Sequence, residues 1–106
     1  MPKFLLEVSY TAEGAKGLAK EGGTSRRKMV TDMVKGVNGT VEAFYYAFGA
    51  ADVFVIADVP DAVTAAGLSL AVNQSGAAHI RTHLLMTPEE MDQAAKKAVG
   101  YRPPGK

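Results

Sequence analysis

The sequence contains no cysteine among its 106 residues. Disulfides, thiol nucleophiles and thiolate metal sites are therefore excluded, and nothing indicates an oxidising compartment. It also has no hydrophobic run near the roughly 20 residues that span a bilayer, and its first residues lack the apolar stretch and cleavage site of a signal peptide. We therefore expect a soluble, unprocessed cytoplasmic protein with no membrane partner.

Charge of one sign is also scarce, since the formal net charge is +1 at pH 7. A nearly neutral chain has no general attraction for nucleic acid or anionic membranes, so such a partner would need a local basic patch. The densest candidate is Arg26-Arg27-Lys28, near the start of a predicted helix. Helix geometry spreads these side chains around the axis. We interpret them as a solvated face, with an anion or partner contact as the alternative.

Motifs for phosphate binding and nucleophilic hydrolysis are missing as well. Gly22-Gly23 and Gly49 are not followed by the Lys-Ser/Thr ending of a phosphate-binding loop. The serines have no context resembling a strained strand-to-helix turn that would expose a nucleophile. We therefore expect neither a bound cofactor nor a serine hydrolase.

What the sequence does contain is a regular alternation of strand-like and helix-like patterns. The predicted strands are 3–10, 40–48, 52–59 and 77–86, and the predicted helices are 12–20, 24–37, 62–75 and 88–99. The last helix has the strongest local signal, because Thr87 is placed as N-cap, Pro88 at the first helical position and Glu90 as the reciprocal cap. We interpret residues 1–99 as one domain and 100–106 as a Pro/Gly-rich tail.

The order of these elements predicts an α+β fold, a ferredoxin-like βαββαβ sandwich with an antiparallel four-stranded sheet and an extra C-terminal helix. Because crossover connections are right-handed, both crossover helices should lie on one face of the sheet. The stripe Val63, Ala66 and Leu70 is the expected sheet-facing side of the third helix. The opposite face of the sheet is left uncovered.

The uncovered face is expected to be apolar and to bind a second copy of the chain. Strict alternation sends three phenylalanines and one tyrosine of the middle strands to that face: Phe44, Tyr46, Phe48 and Phe54. Burying about 500 Å² of it at roughly 25 cal/mol per Å² would contribute on the order of 12 kcal/mol before entropic losses. We therefore expect a homodimer or higher homo-oligomer that packs sheet to sheet, although a one-residue slip would exchange the faces of any strand.

Polar groups are expected among these aromatic rings. The candidate ligand-binding residues are Glu7, Phe44, Tyr46, Phe54 and Arg81, and the candidate catalytic residues are His79 and His83. Either histidine could act as an acid or base near neutral pH with Glu7 as partner. The two histidines are about 13 Å apart along one strand, too far for one metal, so we expect no metal site. The alternative is a structural Glu7–Arg81 pair at the rim of an interface.

Several segments, taken together, resemble the GYD domain family. They are Phe4 to Thr11, Gly49 to Ile56, Val59-Pro60-Asp61 and Thr82 to Glu90. The family signature is Gly-x-Tyr-Asp, which Gly49 and Asp52 match while Ala51 replaces the tyrosine. The resemblance implies a ferredoxin-like fold that associates through its sheets, and it implies no particular chemistry. We interpret Gly49 as allowing an unusual turn backbone and Asp52 as capping turn amides, with a ligand role for Asp52 as the alternative.

Three functions follow from these patterns, and the residues do not decide whether the protein is an enzyme. The first is a small oligomeric binding protein that holds an apolar or aromatic small molecule between subunits. The second is a cofactor-independent oxygenase or isomerase of the dimeric α/β-barrel type that uses a histidine as acid or base. The third, single-stranded RNA binding, is disfavoured because strand 52–59 lacks the basic residue and paired aromatics of RNA-binding sheets.

Overall fold

The computed structural model describes residues 1–106, which form four strands and four helices. In chain order these are β1 (Lys3–Tyr10), α1 (Ala12–Glu21), α2 (Gly23–Lys35), β2 (Thr40–Tyr46), β3 (Val53–Asp58), α3 (Ala62–Gln74), β4 (Ala78–Leu85) and α4 (Pro88–Ala95). All neighbouring strands are antiparallel, and their order in the sheet is β2-β3-β1-β4. The predicted α+β, ferredoxin-like arrangement with an extra C-terminal helix is confirmed.

The core lies between one face of the sheet and the helices α2 and α3. Strands, helices and one residue that follows β3 contribute its buried side chains: Phe4, Leu6, Val53, Val55 and Ala57 from β1 and β3, Val34, Ala65 and Leu68 from the helices, and Val59 after β3. This is the alternation expected of strands with one covered face. The opposite face, called here the open face, carries no helix.

Two glycines explain how α1 fits between β1 and α2. Gly22 has φ of +95°, a backbone conformation that favours glycine, and it lies between the end of α1 and the start of α2. Gly14 lies so close to β4 that a Cβ there would be 1.9 Å from the carbonyl oxygen of Ala77. Thr11 caps the same helix by accepting a hydrogen bond from the Gly14 amide.

A β-bulge in β2 changes which side chains face the helices. Val41 pairs with Ala57 and Ala43 pairs with the adjacent Ile56, so Glu42 is an extra residue in the ladder. Since side chains alternate with period two, one extra residue exchanges the faces of all that follow. The expectation that Phe44 and Tyr46 lie on the open face is therefore wrong.

Helix α3 packs on the sheet through a different stripe from the expected one. Ala65 and Leu68 are buried, whereas Val63 and Leu70 are 81% and 68% exposed. The expected stripe of Val63, Ala66 and Leu70 thus faces outward. Apolar side chains lie on nearly every side of α3, so its hydrophobic periodicity does not indicate which side packs on the sheet.

The end of the chain contains the predicted capping box but a shorter helix than expected. Thr87 accepts a hydrogen bond from the Glu90 amide at 3.1 Å, and the Glu90 carboxylate accepts one from the Thr87 amide at 2.9 Å. Helix α4 ends at Ala95 instead of Val99 and has no buried residue. None of the four helices combines the length and apolar character needed to cross a membrane.

The packing of α3 can be tested with two leucines on the same helix. Leu68→Ala should lower the free energy of unfolding by about 2–5 kcal/mol, because it removes buried methyl groups and leaves a cavity. Leu70→Ala is the matched control and should change it by less than about 0.5 kcal/mol. Urea unfolding of both variants measures the difference, and a larger loss for Leu70→Ala would contradict the orientation of α3.

Candidate functional site

The open face consists of cross-strand rows of side chains from all four strands. One row is Tyr45, Phe54, Glu7 and Arg81, and the next is Ala43, Ile56, Leu5 and His83. The two central strands of the sheet, β1 and β3, supply Phe54 to the first row and Leu5 and Ile56 to the second. The outer strand β4 supplies the basic side chains Arg81 and His83. The face therefore has an apolar centre with a polar margin along β4.

The apolar centre is formed by Leu5, Phe54 and Ile56, which are partly exposed in the single chain. Tyr45 lies beside Phe54 on the edge strand and is 71% exposed. None of the main cavities of the chain is lined by Leu5, Phe54 or Ile56. The centre of the open face is thus an uncovered surface outside the main cavities of the chain.

The polar margin brings one predicted catalytic residue close to a carboxylate. His83 Nε2 lies 3.5 Å from Glu7 Oε1, on the neighbouring strand. Arg81 is directly opposite Glu7 in the register, but the close side-chain contact of the Glu7 carboxylate is with His83. His79 lies opposite Ser9, near the N-terminal end of β4, so it does not share this contact with Glu7. The structure therefore distinguishes the two histidines, which the sequence did not.

A charged cluster at one corner of the open face was not predicted as part of the site. Lys3 Nζ donates hydrogen bonds to Glu42 Oε2 at 2.6 Å and to Asp58 Oδ1 at 3.1 Å. Both bonds raise the pKa of Lys3, and the bond to Glu42 has the larger effect. Glu42 is the bulge residue, so the sequence pattern alone did not indicate that it would reach Lys3.

Two predicted ligand-binding residues lie on the helix side of the sheet. Phe44 packs against the hydrophobic core, and its ring meets that of Tyr46 edge to face with centroids 5.3 Å apart. The Tyr46 hydroxyl donates a hydrogen bond to the Gly23 carbonyl at 3.0 Å, and burial raises the pKa of this hydroxyl. Phe48 follows the end of β2 and is fully exposed. Of the expected rings, only Phe54 remains on the open face.

Hydrogen bonds hold the segment from Gly49 to Asp52 against the end of β1. Asp52 Oδ2 accepts a hydrogen bond from the Tyr10 amide at 2.8 Å, and the Asp52 amide donates one to the Val8 carbonyl at 2.8 Å. The Ser9 hydroxyl donates to the Ala50 carbonyl at 3.1 Å. The Asp52 carboxylate therefore has a structural role. It caps the amide of Tyr10, a strand residue, and not a turn amide as expected.

Comparison with known families gives one match. The model of the GYD domain matches residues 4–95, which is most of the chain. The chain belongs to the GYD domain family. Neither the comparison with curated proteins nor that with solved structures found a match.

The GYD signature is incomplete here, and the structure explains one of its two matching residues. Asp52 holds the Tyr10 amide, whereas Gly49 has neither a left-handed backbone nor a close neighbour. The expected unusual backbone at Gly49 is therefore not found. Ala51, which replaces the family tyrosine, is buried. No three His, Cys, Asp or Glu side chains of the chain lie close enough together to hold a metal ion.

The structural role of Asp52 gives a stability prediction. Asp52→Ala should lower the free energy of unfolding by about 1–3 kcal/mol, because the Tyr10 amide loses its charged acceptor. Asp52→Asn is the matched control, since its amide oxygen still accepts, and it should lose less than half as much. Denaturant unfolding measures both changes, and hydrogen exchange of the Tyr10 amide should be faster in Asp52→Ala. Equal stability of Asp52→Ala and the unmodified protein would contradict this role.

Proposed function

We propose that this GYD protein is a self-associating binding protein of the cytoplasm. Two copies pack with their open faces together and enclose a small apolar or aromatic molecule between the sheets. The observation that carries this proposal is the uncovered apolar centre of Leu5, Phe54 and Ile56, with Tyr45 beside it. The sequence has no cysteine and so gives no indication of an oxidising compartment, and the cytoplasm is the default assignment.

The energetics of the open face support association even without the rings that lie on the helix side. Fully burying a Leu, Ile or Phe side chain contributes about 1.5–3 kcal/mol. The three central side chains of each copy, already partly buried, therefore supply on the order of 10 kcal/mol for two copies. This is comparable with the roughly 4–15 kcal/mol that association costs in lost freedom, so a bound molecule and the polar margin would contribute to a stable complex.

The chemistry of the open face indicates the class of ligand. The aromatic and aliphatic centre favours an apolar or aromatic molecule, and Glu7, Arg81 and His83 along one margin are placed to orient a polar substituent. Because none of the main cavities of the single chain is lined by the apolar centre, the binding cavity would form only when two copies meet. Carboxylates of the open face, among them Glu7, Glu42 and Asp58, disfavour a nucleic-acid ligand.

The interface can be tested by placing a charge at its centre. Phe54→Lys should convert the protein to monomers, because an unpaired ammonium would be buried between the sheets. Val63→Lys is the matched control, since Val63 is exposed on the outer side of α3, and it should leave the assembly unchanged. Native mass spectrometry of freshly purified protein reports the number of subunits and any retained molecule together. A monomeric unmodified protein, or a Phe54→Lys variant that assembles normally, would contradict the proposal.

A second candidate is an enzyme that moves a proton on the enclosed molecule. The observation that favours it is the 3.5 Å separation of His83 Nε2 and Glu7 Oε1, within reach of the apolar centre. In this reading the carboxylate orients the imidazole, and the other ring nitrogen exchanges a proton with the substrate. The reaction would be an isomerisation by proton transfer, or a cofactor-independent oxygenation in which dioxygen is the second substrate and oxidant, of the dimeric α/β-barrel type.

The enzyme hypothesis predicts different effects for the two histidines. Incubation of the protein with the molecule that native mass spectrometry identifies should give a product of changed mass or retention time. His83→Ala should lower the rate by about 10²–10⁴-fold, the usual contribution of a general acid or base. His79→Ala should leave the rate within about twofold, because His79 has no carboxylate partner. No turnover, or equal rates for both variants, would reject the catalytic role of His83.

A further inference from the structure

A groove of about 310 Å³ lies on the helix side of the sheet, between α1, α2 and α3. A second cavity of about 60 Å³ lies deeper, among core side chains that include Leu6, Val53 and Val55. The two share much of their lining, namely Tyr10, Arg26, Met29, Met33, Val72 and Ala78. They are therefore two parts of one site, called here the helix-side pocket, which extends from the surface towards the core and lies across the sheet from the open face.

Small side chains leave the outer groove open. Gly14 and Gly17 of α1 form one side of it, and Ala71 and Ser75 of α3 form the other. The close approach to β4 requires glycine at position 14, but neither a left-handed backbone nor a close neighbour requires it at position 17, where a Cβ would meet no atom within 4 Å. Glycine inside a helix is destabilising relative to alanine, so Gly17 leaves this space empty at a cost in helix stability.

The deeper part of the pocket is apolar, with Arg26 as its only charged lining residue. Met29 and Met33 of α2 line both parts and are only partly buried. Methionine is unbranched and adopts many side-chain conformations, so these two residues can move to accommodate a ligand larger than the deeper cavity. The groove alone is at the lower end of the roughly 300–1,000 Å³ typical of small-molecule sites.

Arg26 lies where the two parts of the pocket meet. Its side chain is half-buried and takes part in none of the ion pairs of the chain. Burial raises the pKa of the Tyr10 hydroxyl and the nearby Arg26 opposes that rise, so the two polar groups are neighbours in the pocket. A guanidinium donates hydrogen bonds but accepts none, so a molecule that reaches Arg26 needs an acceptor atom.

The charges of the pocket favour a ligand without net charge. Glu13 and Glu21 line the outer groove and would repel an anion, although Arg26 attracts one. A cation that entered the deeper part would meet Arg26, the only charge there. A neutral molecule avoids both repulsions, and an acceptor oxygen would still give the guanidinium a partner.

We propose that the helix-side pocket of each chain binds a neutral small molecule with an apolar body and one hydrogen-bond acceptor. The body lies against Met29 and Met33, and the acceptor oxygen receives a hydrogen bond from Arg26. This site is contained within one chain and needs no second copy. It is therefore distinct from the inter-subunit cavity of the proposed function and does not depend on it.

Nuclear magnetic resonance of the methionine methyl groups tests the position of the site. Only Met29 and Met33, of the five methionines, line the helix-side pocket. In protein labelled with ¹³C at these methyl groups, the neutral ketone 2-octanone should shift the Met29 and Met33 signals saturably and leave Met1, Met86 and Met91 nearly unchanged. The absence of a saturable shift at Met29 and Met33, or equal shifts at all five methionines, would overturn the proposal.

Filling the groove should prevent binding. Gly17→Leu places a side chain in the open space and should weaken 2-octanone binding at least about tenfold, and Ala71→Leu should do the same from the α3 side. Ala19→Leu is the matched control, since Ala19 is exposed on the same helix as Gly17 and lines none of the main cavities. Unchanged affinity in either groove variant, once folded, would overturn the proposal.

Probes and variants of matched length test the chemistry of the ligand. Octanoate and octylamine should bind at least about fivefold more weakly than 2-octanone, because each would bring an unfavourable charge into the pocket. Arg26→Met keeps the length of the side chain but removes its donors, and it should weaken 2-octanone binding about tenfold. Arg27→Met is the control, since Arg27 is exposed and lines none of the main cavities. Tighter binding of a charged probe, or equal losses in the two arginine variants, would overturn the proposal.

The Phe54→Lys variant separates this pocket from the inter-subunit cavity. Monomers of that variant should still show the Met29 and Met33 shifts with 2-octanone, and this result would support the helix-side pocket. Loss of the shifts in those monomers would reject a site within one chain and leave the proposed function standing. If the unmodified protein is monomeric and shows the shifts, the proposed function is rejected and the helix-side pocket stands.

Discussion

The packing of α2 and α3 against one face of the sheet is the interaction on which the rest of this structure depends. It buries Phe4, Leu6 and the alternate residues of β3, and it leaves the other face without a cover. A chain of this length forms few helices, and the extra helix α4 buries none of its side chains and does not cover the open face. The exposed apolar centre is thus a direct result of the connectivity, because right-handed crossovers send both connecting helices to the same side.

Much of this fold could be predicted because its local signals are consistent with one another. The alternation in β1, β3 and β4 is uninterrupted, so the residues assigned to each face from the pattern lie there in the structure. The glycine break between α1 and α2 and the cap at Thr87 are short-range features that depend on backbone geometry alone. The orientation of α3 could not be predicted in the same way, because an alanine-rich helix has apolar groups on every side and only tertiary packing selects between them.

The candidate site was predictable to the extent that its strands were regular. Glu7, Phe54, Arg81 and His83 come together as expected, because β1, β3 and β4 pair without irregularity. Phe44 and Tyr46 were misplaced, because the extra residue in β2 leaves no mark in the pattern of apolar residues. The same irregularity brings Glu42 to Lys3, a contact that depends on the register of three strands. The pairing of His83, and not His79, with Glu7 likewise depends on side-chain conformations that alternation does not specify.

The bulge at Glu42 has a further consequence for how copies of this chain can meet. It lies in β2, one of the two outer strands, whose free amides and carbonyls would otherwise form a template for another strand. The extra residue disturbs the even spacing of those groups, so a foreign strand cannot continue the ladder along the full edge. This local irregularity therefore makes the outer edge of β2 a poor template for pairing with another strand, and it lowers the tendency of that edge to aggregate.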